Sequence, residues 1–217
     1  APREKYMVVY SGMDLDAFLN AKPEPPLRES LGIPEGAPVV GCIARLFPLK
    51  GHDKLIEAAP EIIRQVPEVR FLLVGNGILR ESLEARIRAM GIERHFVFTG
   101  LVSPSEVCCY TALMDVLAHL SLREGLPRVA VQALASGVPV VAYPLDGTPE
   151  VVIDGETGRL CRVGDSAEIA KSIVVLLKDE SLRQEMGRKG QEAVKVKFDW
   201  RRMSSILEDD YAMHINI

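Results

Sequence analysis

Two cations and one acid carry the chemistry that this sequence suggests. Arg45 and Lys50 fall in the short, kinked stretch "CIARLFPLKGHD" (42–53), which begins as an apolar strand and ends as a helix. A strand that ends in a basic turn and feeds a helix is a common way of holding an anion. Arginine suits a bidentate grip on phosphate, and lysine a point-charge contact. Glu124 lies in the second stretch of interest, "LSLREGLPRVAVQALASG" (120–137), in which Pro127 stands at the expected first position of a helix of small residues. Gln132 follows eight residues after Glu124 in that otherwise apolar helix. A polar amide there costs free energy unless something bonds to it, either a ligand or the backbone.

Other motifs are weaker. In "VGNGILRES" (74–82), Gly75 and Gly77 supply the first half of a dinucleotide fingerprint, but Arg80 stands where the third glycine belongs and the strand is the second of the series. A structural strand-to-helix turn is the expectation, and no Walker lysine loop exists. Asp14 and Asp16 form a D-x-D pair in "MDLDAF", where capping of the next turn is the simpler role. His52, His95, His119 and His214 share no spacing suited to a metal or a triad, and His119, at the end of an apolar strand, reads as a core residue. Cys42, Cys108, Cys109 and Cys161 lie in apolar stretches without a C-x-x-C pair and read as buried, reduced thiols.

The elements that must position these residues follow from periodicity. Apolar runs at 39–44, 70–75, 95–100, 115–120 and 138–143 alternate with amphipathic segments of helix length, and "GETGRL" (155–160) reads as a turn and a short strand. That rhythm predicts a Rossmann-like three-layer α/β/α fold around a parallel sheet of about six strands. Leu55, Ala58, Ala59, Ile62 and Ile63 line one helix face, and Leu79, Leu83, Ile87 and Met90 another; Ser166 is expected to cap a later helix, and two further helices break around "FDW" (198–200). "KYMVVYSGMDLDAF" looks like a strand and turn, followed by the Pro-rich connector "KPEPPL". The 217 residues are 47% hydrophobic and 26% charged, with a net charge of -4, which argues against nucleic acid as a partner. No apolar run approaches the roughly 20 residues that span a bilayer, and the N-terminus has no secretory apolar region, so a cytoplasmic location is expected.

Taken together, the chain resembles the C-terminal half of a GT-B glycosyltransferase, similar to the retaining family 4 or group 1 enzymes. "VVYSGMDLDAF" matches that family's interdomain stretch, "ARLFPLKGHDKLIEA" its R-x-x-x-x-K-G segment, and "LLVGNGILRESLE" its G-x-G turn. "FTGLVSPSEVCCYTALMDVLAHLSLREGLP" and "ALASGVPVVA" match its central block. The resemblance implies a domain from residue 21 to 217 that binds a nucleotide-sugar donor, with residues 1–20 as the remnant of an interdomain linker. It implies catalytic roles for Arg45 and Lys50 on the diphosphate and Glu124 on the sugar hydroxyls, and donor contacts from Gly41, Gly125 and Leu126. Leu101 and Val102 would lie near the base. Gln132 would bond the ribose in place of the second acid of the family's E-x7-E motif. Gly147, Thr148 and Glu150 match a small-residue turn of open role. No metal or other cofactor is implied, because two cations can perform a metal's task. The implied partners are an NDP-sugar, with UDP-sugar favoured as a prior, and an N-terminal acceptor domain. Lipid acceptors in the family leave room for the full-length protein to associate with the inner face of the membrane. The rival readings are a sugar-nucleotide-binding domain without catalysis and an NAD-dependent Rossmann enzyme.

Overall fold

A computed structural model describes residues 6–215; residues 1–5, which begin the expected linker, and the side chain of His214 lie outside the described part. In chain order the elements are α1 (Asp16–Asn20), α2 (Pro25–Ser30), β1 (Val39–Ile43), α3 (His52–Gln65), β2 (Arg70–Val74), α4 (Arg80–Ala89), β3 (Phe96–Gly100), α5 (Val107–Ala112), β4 (Val116–His119), α6 (Arg128–Ala135), β5 (Val140–Ala142), β6 (Gly158–Leu160), α7 (Ser166–Lys178), α8 (Glu180–Lys197) and α9 (Trp200–Ile215). The six strands form one sheet in the order β3-β2-β1-β4-β5-β6, and every pairing is parallel. The expected Rossmann-like α/β architecture is therefore the observed one.

Strand alternation sends successive side chains to opposite layers. Val40, Cys42, Phe71, Leu73, Val116, Ala118 and Val141 pack with Leu55, Ala58, Ala59 and Ile62 of α3 and Ile169 and Ile173 of α7. Val39, Leu72, Val74, Leu117, Val140 and Ala142 pack on the other face with Ala130, Val131, Ala133 and Leu134 of α6. The small residues of α6 bring it close to its neighbours: a Cβ on Gly190 of α8 would lie 2.7 Å from a Leu134 methyl.

Several local expectations are corrected. Residues 6–12 form no strand, and Tyr6, Met7 and Val8 are exposed. The expected linker remnant packs on the domain from Met13 onward: Met13, Leu15 and Phe18 join the core, and the Met13 amide donates to the Phe198 carbonyl at 2.9 Å. The Pro-rich connector holds a helix, α2, because Pro25 occupies its first turn, where a missing N–H costs nothing. Pro127 is the N-cap of α6 rather than its first residue. Asp165, not Ser166, caps α7, its carboxylate accepting the Glu168 amide at 2.9 Å. Asp14 rather than Asp16 makes the local turn bond, accepting the Asp16 amide at 3.1 Å. The four cysteines are free, but Cys108 and Cys109 are half-buried on α5 and only Cys42 and Cys161 are buried. Met90, expected on an apolar helix face, follows α4 and is 37% exposed.

His52, the first residue of α3, is 2% exposed, and neither ring nitrogen has a hydrogen-bond partner among the described residues. Burial pushes its pKa down to about 4. The unfolded chain therefore binds more protons between about pH 6.5 and about pH 4, so stability falls as pH drops through that window. Going from pH 7 to pH 5 removes about 2 kcal/mol through this residue. His52→Leu, which keeps the volume and discards the titration, is expected to recover most of that loss at pH 5. Urea midpoints of both proteins at pH 7 and pH 5 test this; equal pH dependence in the two would assign the acid sensitivity elsewhere.

Candidate functional site

The carboxyl ends of β1 and β4 lie side by side, because Val40 and Gly41 pair with Val116 and Leu117. The turn after β1 carries Arg45 and Lys50, and the turn after β4 carries Glu124. Their side chains meet: Lys50 Nζ donates to Glu124 Oε1 at 2.6 Å and lies 3.5 Å from Ser121 Oγ. The two side chains retain 25% and 17% of their exposure, enough shielding from solvent for the pair to orient both groups. Arg45 is exposed, its guanidinium 5.1 Å from the centre of the Phe47 ring.

These groups line a cavity of about 260 Å³ together with Ile43, Ala44, His119, Leu126, Arg128 and Val129. Two of its ionisable members were missed in the sequence. His119 was read as a core residue, yet it faces this cavity: it sits on the same face of β4 as Leu117, its Nε2 lies 3.6 Å from Glu124 Oε1, and that nitrogen has no hydrogen-bond partner among the described residues. The period-two alternation of β4 contained that signal, but only the pairing of β4 with β1 shows what lies beyond its end. Arg128, in the first turn of α6, adds a third cation. A cation at the positive end of a helix dipole is unfavourable unless an anion faces it.

Backbone devices hold the two turns in place. Leu49 and Asp146 are the only non-glycine residues with positive φ in the described chain, at 71° and 49°, and both flank the site. Such residues persist where the surroundings over-determine them. The Leu49 carbonyl accepts the Leu122 amide at 2.8 Å and the Ser121 hydroxyl at 3.3 Å, joining the Lys50 turn to the Glu124 turn. Asp146 Oδ2 accepts the Glu124 amide at 2.8 Å. Gly147 belongs to the same support, since a Cβ there would lie 2.0 Å from the Gly125 carbonyl oxygen. Thr148 is buried, and Glu150 bonds the Tyr10 hydroxyl, so this turn secures the structure around the site.

The remaining expected residues are dispersed. Gly125 is exposed beside Glu124. Gln132 lies one turn along α6 from Arg128, partly exposed, and its side-chain amide makes no hydrogen bond within the described residues. Gly41 does not reach the cavity: it lies inside β1, where a Cβ would meet Met114 Sδ at 1.9 Å, so its missing side chain serves core packing. Leu101, 78% exposed, and Val102 follow β3, separated from β1 by β2, and do not line this cavity. The G-x-G turn is structural. Cβ atoms on Gly75 and Gly77 would lie 2.2 Å from the Ala44 oxygen and 2.4 Å from the Leu46 oxygen, so both glycines let this turn clasp the one that carries Arg45. Arg80, in the place of a third glycine, pairs with Glu84 at 2.8 Å. No group of three or more His, Cys, Asp or Glu side chains that could hold a metal ion occurs among the described residues, and no described helix is long and apolar enough to cross a membrane.

The Asp146 bond makes a direct prediction. Asp146→Ala is expected to free the Glu124 amide and to raise its hydrogen-exchange rate about tenfold or more, with stability falling by about 1 kcal/mol. Unchanged exchange at Glu124 would show that the turn is held by its other contacts alone.

Comparison with known proteins supplies the family. Residues 23–193 match the model of the glycosyl transferases group 1. The chain is 35% identical over 209 residues to the GDP-mannose-dependent alpha-(1-6)-phosphatidylinositol monomannoside mannosyltransferase of Mycolicibacterium smegmatis, covering 91% of this chain and 54% of that protein. It superposes on the Anabaena protein HepE in complex with UDP and glucose with a TM-score of 0.84 and 29% identity, over 95% of this chain and 56% of that one. The C-terminal domain of a group 1 family glycosyl transferase (LpcC) from Francisella tularensis aligns with a TM-score of 0.77 and 25% identity, over 87% of this chain and 99% of that domain. The chain thus spans about half the length of the curated relatives it matches. By this family match, and with a GT-B glycosyltransferase fold, the chain belongs to the group 1 glycosyl transferases.

Proposed function

We propose that this chain is the donor-binding half of a retaining, family 4 glycosyltransferase and that the cavity between β1 and β4 receives the diphosphate and sugar of an NDP-sugar. The observation that carries the reading is the convergence of Arg45, Lys50 and Glu124 on one cavity in a chain of this family. Arg45 and Lys50 bind the diphosphate and stabilise the negative charge that grows on it as the bond to the anomeric carbon breaks. Because that charge is largest in the transition state, the two cations accelerate transfer rather than merely tighten binding. Glu124 accepts from the sugar hydroxyls, and the amides of Gly125 and Leu126 lie beside sugar and phosphate. Gln132 holds the ribose as donor and acceptor without the charge-assisted bond of a carboxylate. Leu101 and Val102 border the base. Two cations at the leaving group make a divalent metal unnecessary, so chelation with EDTA is expected to leave turnover intact.

The donor is a UDP- or GDP-sugar: one relative's name specifies GDP-mannose, and one structural neighbour holds UDP. The acceptor is bound mainly by an N-terminal domain of the same enzyme, so the 217-residue chain alone binds nucleotide weakly and transfers no sugar. An NAD-dependent reading is disfavoured, since the glycines it needs are occupied in backbone packing against Ala44 and Leu46.

Two measurements test the proposal. A titration panel of UDP, GDP, ADP and NAD is expected to favour UDP or GDP; preference for NAD would overturn it. In the two-domain enzyme, Arg45→Ala, Lys50→Ala and Glu124→Ala are each expected to lower kcat about a hundredfold, the usual scale for losing one transition-state partner. Tight nucleotide binding with no turnover by the unmodified enzyme, and turnover gained in Gln132→Glu, would instead favour a binding domain without catalysis.

A further inference from the structure

Glu124 has two basic neighbours, and the proposed donor competes for one of them. Lys50 Nζ bonds Glu124 Oε1 at 2.6 Å, while His119 Nε2 waits 3.6 Å from the same oxygen, just beyond hydrogen-bonding distance. His119 is 8% exposed and its Nε2 has no partner among the described residues, an arrangement that is costly unless some state of the site uses it. The other charged groups on this cavity are Arg45 and Arg128, and Asp146 faces the Glu124 amide rather than its carboxylate. Glu124 thus supplies the negative charge nearest to His119.

We propose that His119 is a positioning residue that takes over the Glu124 carboxylate when the donor diphosphate draws Lys50 away, becoming protonated as it does so, and thereby holds Glu124 ready for the sugar hydroxyls. The inference rests on the donor reading above. One proton passes from solvent to the imidazole, and the Nε2–H donates to Glu124 Oε1 in place of the Lys50 ammonium. Without ligand, burial holds the His119 pKa below its usual range, with Glu124 raising it and Lys50 lowering it. Departure of Lys50 removes the repulsion and leaves the carboxylate, and both changes favour the imidazolium. Donor affinity should therefore fall as pH rises through the pKa of the liganded state, because the proton that accompanies binding becomes scarce.

Calorimetric titration of the two-domain enzyme with UDP-glucose and with GDP-mannose, at pH 7 in two buffers of different ionisation heat, reads this directly. Nucleotide sugars are the right probes because their diphosphate is a diester without the phosphate ionisation near pH 6. The wild-type protein is expected to take up as much as about one proton per ligand. His119→Gln, whose amide can still donate to Glu124, should bind within a few-fold of wild type with no proton uptake. His119→Leu should bind about tenfold more weakly, also without uptake. If His119→Leu fails to fold, His119→Gln alone decides. Binding without proton uptake in the wild type, or uptake that survives in His119→Gln and so belongs to another group, would overturn the handover and leave the donor reading intact. Failure of both nucleotide sugars to bind would overturn the two together.

Discussion

At the seam between β1 and β4 the chain's connections diverge. α3 leaves β1 for one face of the sheet, α6 leaves β4 for the other, and a crevice is left open over the carboxyl ends of two hydrogen-bonded strands. Everything chemical in the domain depends on that pairing. It lets the Lys50 ammonium lie 2.6 Å from the Glu124 carboxylate, although 74 residues separate them in the chain. A parallel sheet makes such a seam only if both layers are covered, which is why the apolar halves of α3, α6 and α7 are prerequisites for the site.

The seam alone would leave two mobile loops. Two further turns and one direct tie brace them: the G-x-G turn clasps the Arg45 side through Ala44 and Leu46, Asp146 with Gly147 braces Glu124 and Gly125, and Leu49 of the Lys50 turn accepts bonds from Ser121 and Leu122 of the Glu124 turn. Positive φ at Leu49 and Asp146 concentrates backbone strain at the two points where this bracing is densest. Preorganisation of this kind is what electrostatic stabilisation of a leaving diphosphate needs, since donors already in place cost no reorganisation during reaction. The same rigidity keeps His119 close to Glu124 yet unbonded.

The acid, both cations and the six-strand rhythm were legible from the sequence because each has a local cause. Strand and helix periods are written in consecutive residues, and the R-x-x-x-x-K-G and E-x7-Q spacings each lie within fewer than ten residues of chain. What the sequence did not show shares the opposite property. His119 looked like core because its own strand is apolar. Gly41 read as a donor contact from its motif, and only the fold shows Met114, from a distant segment, in the space a side chain there would fill. That Met13, Leu15 and Phe18 pack into the core was not legible either, because the bonding partners of Met13, Phe198 and Trp200, come from a segment remote in sequence.

Sequence by itself therefore determined the fold class, the family resemblance and the acidic and basic residue types that would suit a phosphorylated ligand, since hydrophobic period and motif spacing are properties of short stretches. Only the tertiary structure decided which of those residues share a cavity, that His119 and Arg128 belong with them, and that the glycine-rich turn supports the site from behind. Those facts depend on strand order and on close backbone contacts between segments remote in sequence, and no local pattern encodes either.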